Sequence, residues 1–264
     1  MVTGSAHGDK SGHSSYHAWV NKLEKRYGNG LTLQGSYVFS KIITDTDRYG
    51  IDGNALDHYR RYLEKSVGAY DVPHNFKLSY IYDLPLGKGK KYLNSGAASV
   101  VLGGWRFAGI QLYSSGNPIA LGNSVSFPLF GGGNRADVTT LEKWINEPSN
   151  PDWRGATRYF NSPCTFVTCN AAGQVTQPTD RLGNSPRYNT HARNRAALTE
   201  NFSLAKTFAF TEKIRMDFRW EAFNAFNRVR LATGSANVQS LTFGQVTSQL
   251  NEPRRMQFAL KLYF

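Results

Sequence analysis

The sequence predicts an all-β fold: an antiparallel transmembrane β-barrel segment of about seven strands, an incomplete barrel with long extracellular loops. Three observations lead to this prediction. Apolar and polar residues alternate within strand-length segments, short and long connections alternate between those segments, and aromatic residues reach 13% although mean hydropathy is −0.45. Barrel strands have one apolar and one polar face, which gives this composition. No run approaches the ~18 apolar residues of a spanning helix.

The first two strands are predicted at 16–27 and 31–41. Between them Gly28, Asn29 and Gly30 predict a hairpin turn, because Gly and Asn accept positive φ angles. The alternation in 16–27 is blurred, and its assignment as a strand depends on its context. In 31–41 one parity carries Leu31, Leu33, Tyr37 and Phe39, and the other carries Thr32, Gln34, Ser36 and Ser40.

The next two strands are predicted at 74–85 and 105–114. Strand 105–114 has a weak alternation and is again assigned from its context. Strand 74–85 is more regular, because five of its apolar residues share one parity while Asn75, Lys77, Ser79 and Asp83 share the other. These apolar residues are Phe76, Leu78, Tyr80, Tyr82 and Leu84.

The hairpin predicted at 198–208 and 214–226 has the most regular pattern in the chain. Charged and apolar residues alternate in its second strand, a regularity that the outer face of a soluble sandwich does not require. Lys206 shares the apolar parity of 198–208 near one end, where it would extend to the membrane surface. The charged set is Arg215, Asp217, Arg219 and Glu221; the apolar set is Ile214, Met216, Phe218, Trp220 and Ala222.

The last strand is predicted at 254–264 and ends on an aromatic residue with no polar tail after it. Chain ends of soluble domains normally fray into water. One parity of this strand is apolar and the other is mostly polar, as a strand between lipid and a wet lumen requires. The apolar parity is Met256, Phe258, Leu260, Leu262 and Phe264, and the other is Arg255, Gln257, Ala259, Lys261 and Tyr263.

The connections alternate strictly between short or intermediate and long. Membrane barrels place short turns in the periplasm and long loops outside the cell. If the C-terminus is periplasmic, the last strand runs inward and the strands before it alternate in direction. Because seven strands is an odd number, the first strand also runs inward, parallel to the last. We therefore expect an open sheet that is part of a larger barrel, with 16–27 and 254–264 as its edges. The connections, short and long in turn, are 28–30, 42–73, 85–104, 115–195, 209–213 and 227–253.

The net charge of +12 and the two cysteines narrow the possible functions. Lys and Arg are scattered and no nucleic-acid motif accompanies them, so we expect no nucleic-acid partner. Cys164 and Cys169 lie in a polar stretch with no nearby histidine, which favours a local disulfide over a zinc site, with two free thiols as the alternative. Residues 1–8 lack the basic start and apolar core of a signal peptide.

Other motifs predict no catalytic residue, no metal ligand and no cofactor. The glycine-rich segments lack the P-loop spacing, and no nucleophile elbow is present. The aspartates of connection 42–73 do not have EF-hand spacing, and a solvated acidic loop explains them. We therefore expect that the chain is not an enzyme. The aspartates are Asp45, Asp47, Asp52 and Asp57.

Three segments near the end of the chain follow one another in a characteristic order: Phe-Arg-Trp-Glu-Ala-Phe-Asn-Ala-Phe-Asn at 218–227, Phe-Gly-Gln-Val-Thr at 243–247, and 253–264. They resemble the C-terminal end of TonB-dependent outer-membrane receptors, especially the large Oar-like kind with an N-terminal carboxypeptidase-regulatory-like domain. The resemblance covers nearly the whole chain apart from 120–185. Earlier segments that are similar to such barrels lie at 16–32, 36–41 and 104–118.

The resemblance implies a barrel of about 22 strands with a plugged lumen, which imports scarce nutrients across the outer membrane of a Gram-negative bacterium on energy relayed by TonB. It implies contact with outer-membrane lipid and lipopolysaccharide. It also implies a signal for the barrel-assembly machinery in the last strand, formed by Phe258, Leu260, Leu262 and Phe264.

The sequence contains no plug domain and no TonB box, so the plug and the other barrel strands are expected as missing partners. We expect that this chain alone does not perform energised transport. Three alternatives remain open: a soluble all-β binding module such as a carbohydrate-binding sandwich, a small autonomous porin, and a small enzyme.

Overall fold

The computed structural model describes residues 12–28, 30–46, 56–57, 60–126, 133–140 and 159–264. Strands dominate these residues, and two short 3-10 helices lie at Arg61–Glu64 and Pro163–Thr165. The other elements, in chain order, are β1 (Ser14–Gly28), β2 (Leu31–Thr44), β3 (Ser66–Val67), β4 (His74–Asp83), α1 (Gly96–Leu102), β5 (Trp105–Ser114), β6 (Pro118–Ile119), β7 (Gly122–Ser126), β8 (Gly133–Arg135), β9 (Asn189–Arg193), β10 (Ala197–Ala209), β11 (Arg215–Phe223) and β12 (Arg255–Tyr263).

Seven long strands form one antiparallel sheet in the order β1-β2-β4-β5-β10-β11-β12, which we call the wall. Each strand pairs with the next long strand along the chain, and β3 pairs with the last residues of β2. Among the described residues, β1 and β12 each pair on one side only, so the sheet is not closed. The predicted all-β antiparallel architecture is confirmed, and 16–27 and 254–264 fall in its edge strands.

The structure corrects the predicted ends of several strands. β2 continues to Thr44 instead of ending at 41, and β4 ends at Asp83 instead of 85. The strand predicted at 214–226 is β11, which ends at Phe223. Asn224 has a φ of 48° and Asn227 a φ of 52°, in the left-handed region that asparagine tolerates better than most residues. A strand cannot continue through that conformation, so 224–226 belong to a turn.

The structure also adds elements that the sequence pattern did not indicate: the short strands β3 and β6 to β9 in the long connections, and one helix between β4 and β5. The intermediate connection between β4 and β5 contains α1, which spans Gly96–Leu102. Seven residues are too few to be helical alone in water, so tertiary contacts must hold this turn in place. None of the helices among the described residues has both the length and the hydropathy to cross a membrane.

The apolar core lies outside the wall. It is formed by residues of the two connections that follow β5 and β11, which are far apart in sequence. Its buried members are Ile119, Leu121, Ala136, Val138, Phe160, Phe166, Val167, Ala192, Val238 and Phe243.

Candidate functional site: a two-faced wall and a loop body

The strand registers place the apolar side chains of neighbouring strands on one side of the wall. Paired residues of antiparallel strands point to the same face. Phe218 of β11 lies opposite Leu260 of β12, and Leu204 of β10 lies opposite both Trp220 and Phe107. We call this side the apolar face; it comprises Phe76, Leu78, Tyr80, Tyr82, Trp105, Phe107, Phe202, Leu204, Phe208, Met216, Phe218, Trp220, Met256, Phe258, Leu260 and Leu262.

Aromatic rings on the apolar face contact one another across strands. The ring of Phe218 lies 5.9 Å from that of Trp105 and 6.4 Å from that of Phe258, measured between centroids. Phe107 and Phe202 are stacked at 5.6 Å. These distances fall in the range of about 4.5–7 Å at which aromatic pairs attract each other. These rings therefore form a continuous apolar surface from β5 to β12, while Glu200 and Gln111 lie on the same side nearer the loop body.

The opposite side of the wall, the polar face, carries charges that pair within it. The Thr207 hydroxyl donates to Asp217 at 2.7 Å, the Arg219 guanidinium lies 3.4 Å from Glu221, and the Gln257 amide also donates to Glu221. Charged groups on a surface of this kind require water or polar partners. Further members of the polar face are Asp83, Arg106, Arg215 and Lys261.

The residues expected to form an assembly signal lie together at one edge. Phe258, Leu260 and Leu262 follow one another on the apolar face of β12, and Phe264 comes directly after this strand. All four side chains are exposed, Phe258 to 71%. They form an apolar row on a strand whose outer edge has no partner strand in the described part of the chain.

The described parts of the three long connections lie at one end of the wall and contact each other. We call this unit, formed from the described residues of 45–73, 115–196 and 224–254, the loop body. Its core includes a stack of Phe160 and Phe243 with ring centroids 4.9 Å apart. Backbone hydrogen bonds join the same connections: Tyr159 N–H donates to the Gly244 carbonyl at 2.7 Å.

A buried ion pair joins the first long connection to the second. The guanidinium of Arg135 donates to the carboxylate of Glu64 and, at 2.8 Å, to the Leu63 carbonyl. Burial lowers the pKa of Arg135, and the charge of Glu64 opposes this shift. A buried charge is tolerated when it is paired and hydrogen-bonded, as here. The pair therefore fixes the position of one connection relative to the other.

Two more ion pairs fasten the loop body. Arg193 donates to the fully buried carboxylate of Asp71 at 2.5 Å, again linking the first two connections. Arg228 of the third connection donates to both oxygens of Glu200, at 2.8 and 3.0 Å. Because Glu200 belongs to β10 and is fully buried, this pair attaches the loop body to the wall.

Asn224 organises the start of the third connection, a role that was not predicted from the sequence. Its amide donates to the carbonyls of Arg228, at 2.9 Å, and Glu252, at 3.0 Å, while its side-chain oxygen accepts from Arg228 N–H at 2.8 Å. The signal was present, because Phe-Asn-Ala-Phe-Asn repeats a residue that suits left-handed turns.

Cys164 and Cys169 lie in the loop body and are joined by a disulfide, with their Cα atoms 5.5 Å apart. Between them Phe166 and Val167 are buried in the core. The bridge therefore encloses a short segment whose apolar side chains turn inward.

The acidic connection residues do not form a cation site in the part of the chain that the structure describes. Asp45 lies 3.6 Å from Arg61, and Asp57 lies 2.6 Å from Arg60, which raises the pKa of Arg60 through hydrogen bonding and charge. Asp47 and Asp52 lie outside the described residues. Among the described residues, no group of three or more His, Cys, Asp or Glu is arranged to hold a metal ion.

A cleft of about 540 Å³ opens beside the loop-body ends of β10, β11 and β12. Its lining combines the apolar side chains of Phe223, Pro253 and Met256 with amide, hydroxyl and charged groups. They include Thr199, Asn201, Asn251, Glu252, Arg255 and Gln257.

A family model described as "Outer membrane beta barrel domain" matches residues 3–257. The chain belongs to this family. No curated protein and no solved structure matches the chain significantly. For an outer membrane beta-barrel domain the two faces of the wall have a direct meaning: the apolar face suits lipid, and the polar face suits the barrel interior. The family also points to an outer-membrane location.

Proposed function

We propose that this domain forms part of the wall and the extracellular loops of a TonB-dependent receptor of the Oar-like kind, in the outer membrane of a Gram-negative bacterium. The observation that carries the proposal is a two-faced wall whose three long connections meet at a single end. Two of them share a core, and ion pairs attach the first. In a receptor such a body would meet nutrients outside the cell, while the polar face would line the passage. We assign the domain structural and binding roles rather than a catalytic one.

The unpaired edges favour a larger assembly over an autonomous porin. Each unpaired backbone group in hydrocarbon costs about 2–7 kcal/mol. Both β1 and β12 present such groups among the described residues. We propose that the remaining strands and a plug complete the barrel, and that this chain alone is not transport-competent.

The proposed partners follow from the surfaces of the wall. The apolar face would contact outer-membrane lipid and lipopolysaccharide. The row formed by Phe258, Leu260, Leu262 and Phe264 would be read by the barrel-assembly machinery, since it presents alternate apolar side chains on an edge strand. No surface is assigned to nucleic acid.

Topology in cells tests the membrane role. We would express the chain behind a secretion signal and label single cysteines on intact cells with a membrane-impermeant maleimide. Leu241→Cys, 95% exposed in the loop body, should react at once. Lys88→Cys, in the connection between β4 and β5, should react only after permeabilisation. Equal labelling at both positions, or a soluble monomer without detergent, would contradict the proposal.

The receptor assignment has a separate test. The DNA immediately upstream should encode, in frame, a plug region and further strands. Expression of that longer reading frame should give a detergent-stable barrel that migrates differently on gels before and after heating, whereas the chain alone should not. A stop codon directly upstream would count against a receptor. So would a barrel from the chain alone whose gel migration changes on heating.

A further inference from the structure

The connection between β4 and β5 exposes apolar side chains that the wall does not use. In α1 the side chains of Val100 and Val101 are 68% and 62% exposed, and Leu102 is also exposed. Tyr92 and Leu93, earlier in the same connection, are exposed as well. A cluster of this kind is costly in water and marks a contact surface.

This connection is fastened to the apolar face. The ammonium group of Lys206 donates to the carbonyls of Val100, at 2.5 Å, and Val101, at 2.7 Å, and the Trp105 indole donates to the Val101 carbonyl at 3.2 Å. The last carbonyls of a helix lack partners within it, so these bonds satisfy them. Lys206 is buried, and both Lys206 and Trp105 project from the apolar side of the wall. α1 therefore lies on the side that suits lipid.

Basic residues accompany the apolar ones. Lys88, Lys90 and Lys91 are exposed, and the ammonium of Lys91 lies 5.2 Å from the centre of the Tyr92 ring. The segment 84–104 contains no acidic residue. Exposed apolar side chains, an aromatic ring and lysines in one short segment match the requirements of a membrane interface with anionic lipid.

We propose that segment 84–104 is a membrane-anchoring foot. In it, Val100, Val101 and Leu102 insert at the boundary between headgroups and acyl chains, and Lys88, Lys90 and Lys91 bind anionic phospholipid headgroups. Lys206 acts as a positioning residue, because it holds the end of α1 against the wall. The inference rests on membership of a membrane-barrel family and is independent of the receptor assignment.

Site-specific fluorescence tests the foot. We would reconstitute the full chain in vesicles of phosphatidylcholine with and without phosphatidylglycerol, and attach an environment-sensitive dye to Val100→Cys; the native cysteines are bonded to each other. Brominated lipids should quench this dye in both vesicles, because Lys206 holds α1 on the lipid side, and more strongly when phosphatidylglycerol is present. A dye at Leu241→Cys in the loop body should be quenched by aqueous iodide in both vesicles.

Two variants identify the contributing groups. Replacing Lys88, Lys90 and Lys91 together by Gln should weaken binding to the anionic surface by about fivefold per lysine. Quenching at position 100 should then no longer respond to the phosphatidylglycerol content of the vesicles. Lys206→Met should weaken quenching at position 100 while a dye at Phe258→Cys remains quenched, because only the attachment of α1 is lost.

The dye at Phe258 separates the possible failures. If the dye at Phe258→Cys is quenched by lipid but that at Val100→Cys is not, the foot is wrong and the membrane wall stands. If neither dye is quenched, both the membrane-anchoring foot and the membrane role of the wall are wrong. Equal quenching at position 100 with and without phosphatidylglycerol, or quenching that follows the protein concentration as in a contact between copies, would also overturn the foot.

Discussion

The wall exposes its apolar side chains, whereas the loop body buries them. The loop body encloses Phe160, Phe166 and Phe243, each no more than 1% exposed, whereas the wall leaves Phe258 71% exposed. Ala222 is the only buried apolar residue among the described parts of the seven wall strands. Water suffices to drive formation of the loop-body core, while the wall needs lipid to take the place of a second packed layer.

The first prediction tests the loop-body core by removing one of its buried aromatic rings. Phe243→Ala should destabilise the loop body by about 3–5 kcal/mol, because the ring is fully buried against Phe160. Protease protection of the loop body, followed against urea in detergent, measures the loss. Leu241→Ala, at an exposed site of the same connection, should change stability by less than about 0.5 kcal/mol. Similar losses in both variants would mean that no such core exists.

The second prediction exchanges residues between the faces of β12. Phe258→Lys should lower stability in a bilayer by about 2–4 kcal/mol near the midplane. Gln257→Lys, on the polar face, should cost far less. Folding titrations in vesicles compare the two, and equal costs would show that the faces are wrongly assigned. In detergent-free water the first substitution should instead improve solubility, since the side chain is exposed there.

The third prediction concerns the disulfide. Replacing Cys164 and Cys169 together by Ser should destabilise the loop body by about 2 kcal/mol and leave the wall unchanged, because the closed segment is short and lies in the loop body. The urea midpoint of protease protection reports the effect. Alkylation of both thiols in unreduced, correctly assembled protein would show that the bond is not formed.

The smallest effect is expected from pH. Burial raises the pKa of the Tyr159 hydroxyl above its usual value near 10, although Arg195 opposes the shift. The folded state therefore holds this proton more tightly than the unfolded state. The stabilisation is complete below the unfolded pKa and is lost as pH rises through the folded one. Loop-body stability should fall above about pH 10, and Tyr159→Phe should reduce that fall; an identical pH profile in the variant would refute this role.

The wall could be predicted from the sequence because its signal is local. A period of two residues is visible in β4, β11 and β12 without knowledge of their partners. The alternation of β5 was blurred because Ile110 and Leu112 place apolar side chains on the polar face. Its bounds nevertheless agree with the prediction, since the neighbouring strands fix its position.

The loop body could not be predicted in the same way. Phe160 and Phe243 belong to irregular segments of two different connections, and no periodic pattern in the sequence predicts that their rings are in contact. The ion pairs of Arg135 with Glu64 and of Arg193 with Asp71 likewise join residues that are distant in sequence. α1 was missed because one or two turns are too short for a helical period, and Lys206, which holds it, lies in another strand.

The direction of the edge strands limits how copies of this sheet could associate. β1 and β12 run the same way, since an odd number of strands alternates between them. In copies related by an axis along the membrane normal, β12 of one copy would lie parallel to β1 of the next. Copies related by a twofold axis in the membrane plane would pair antiparallel, but their loop bodies would lie on opposite sides of the bilayer. A closed antiparallel barrel with every loop body on one side therefore cannot be a homo-oligomer of this sheet alone; it must combine unlike segments.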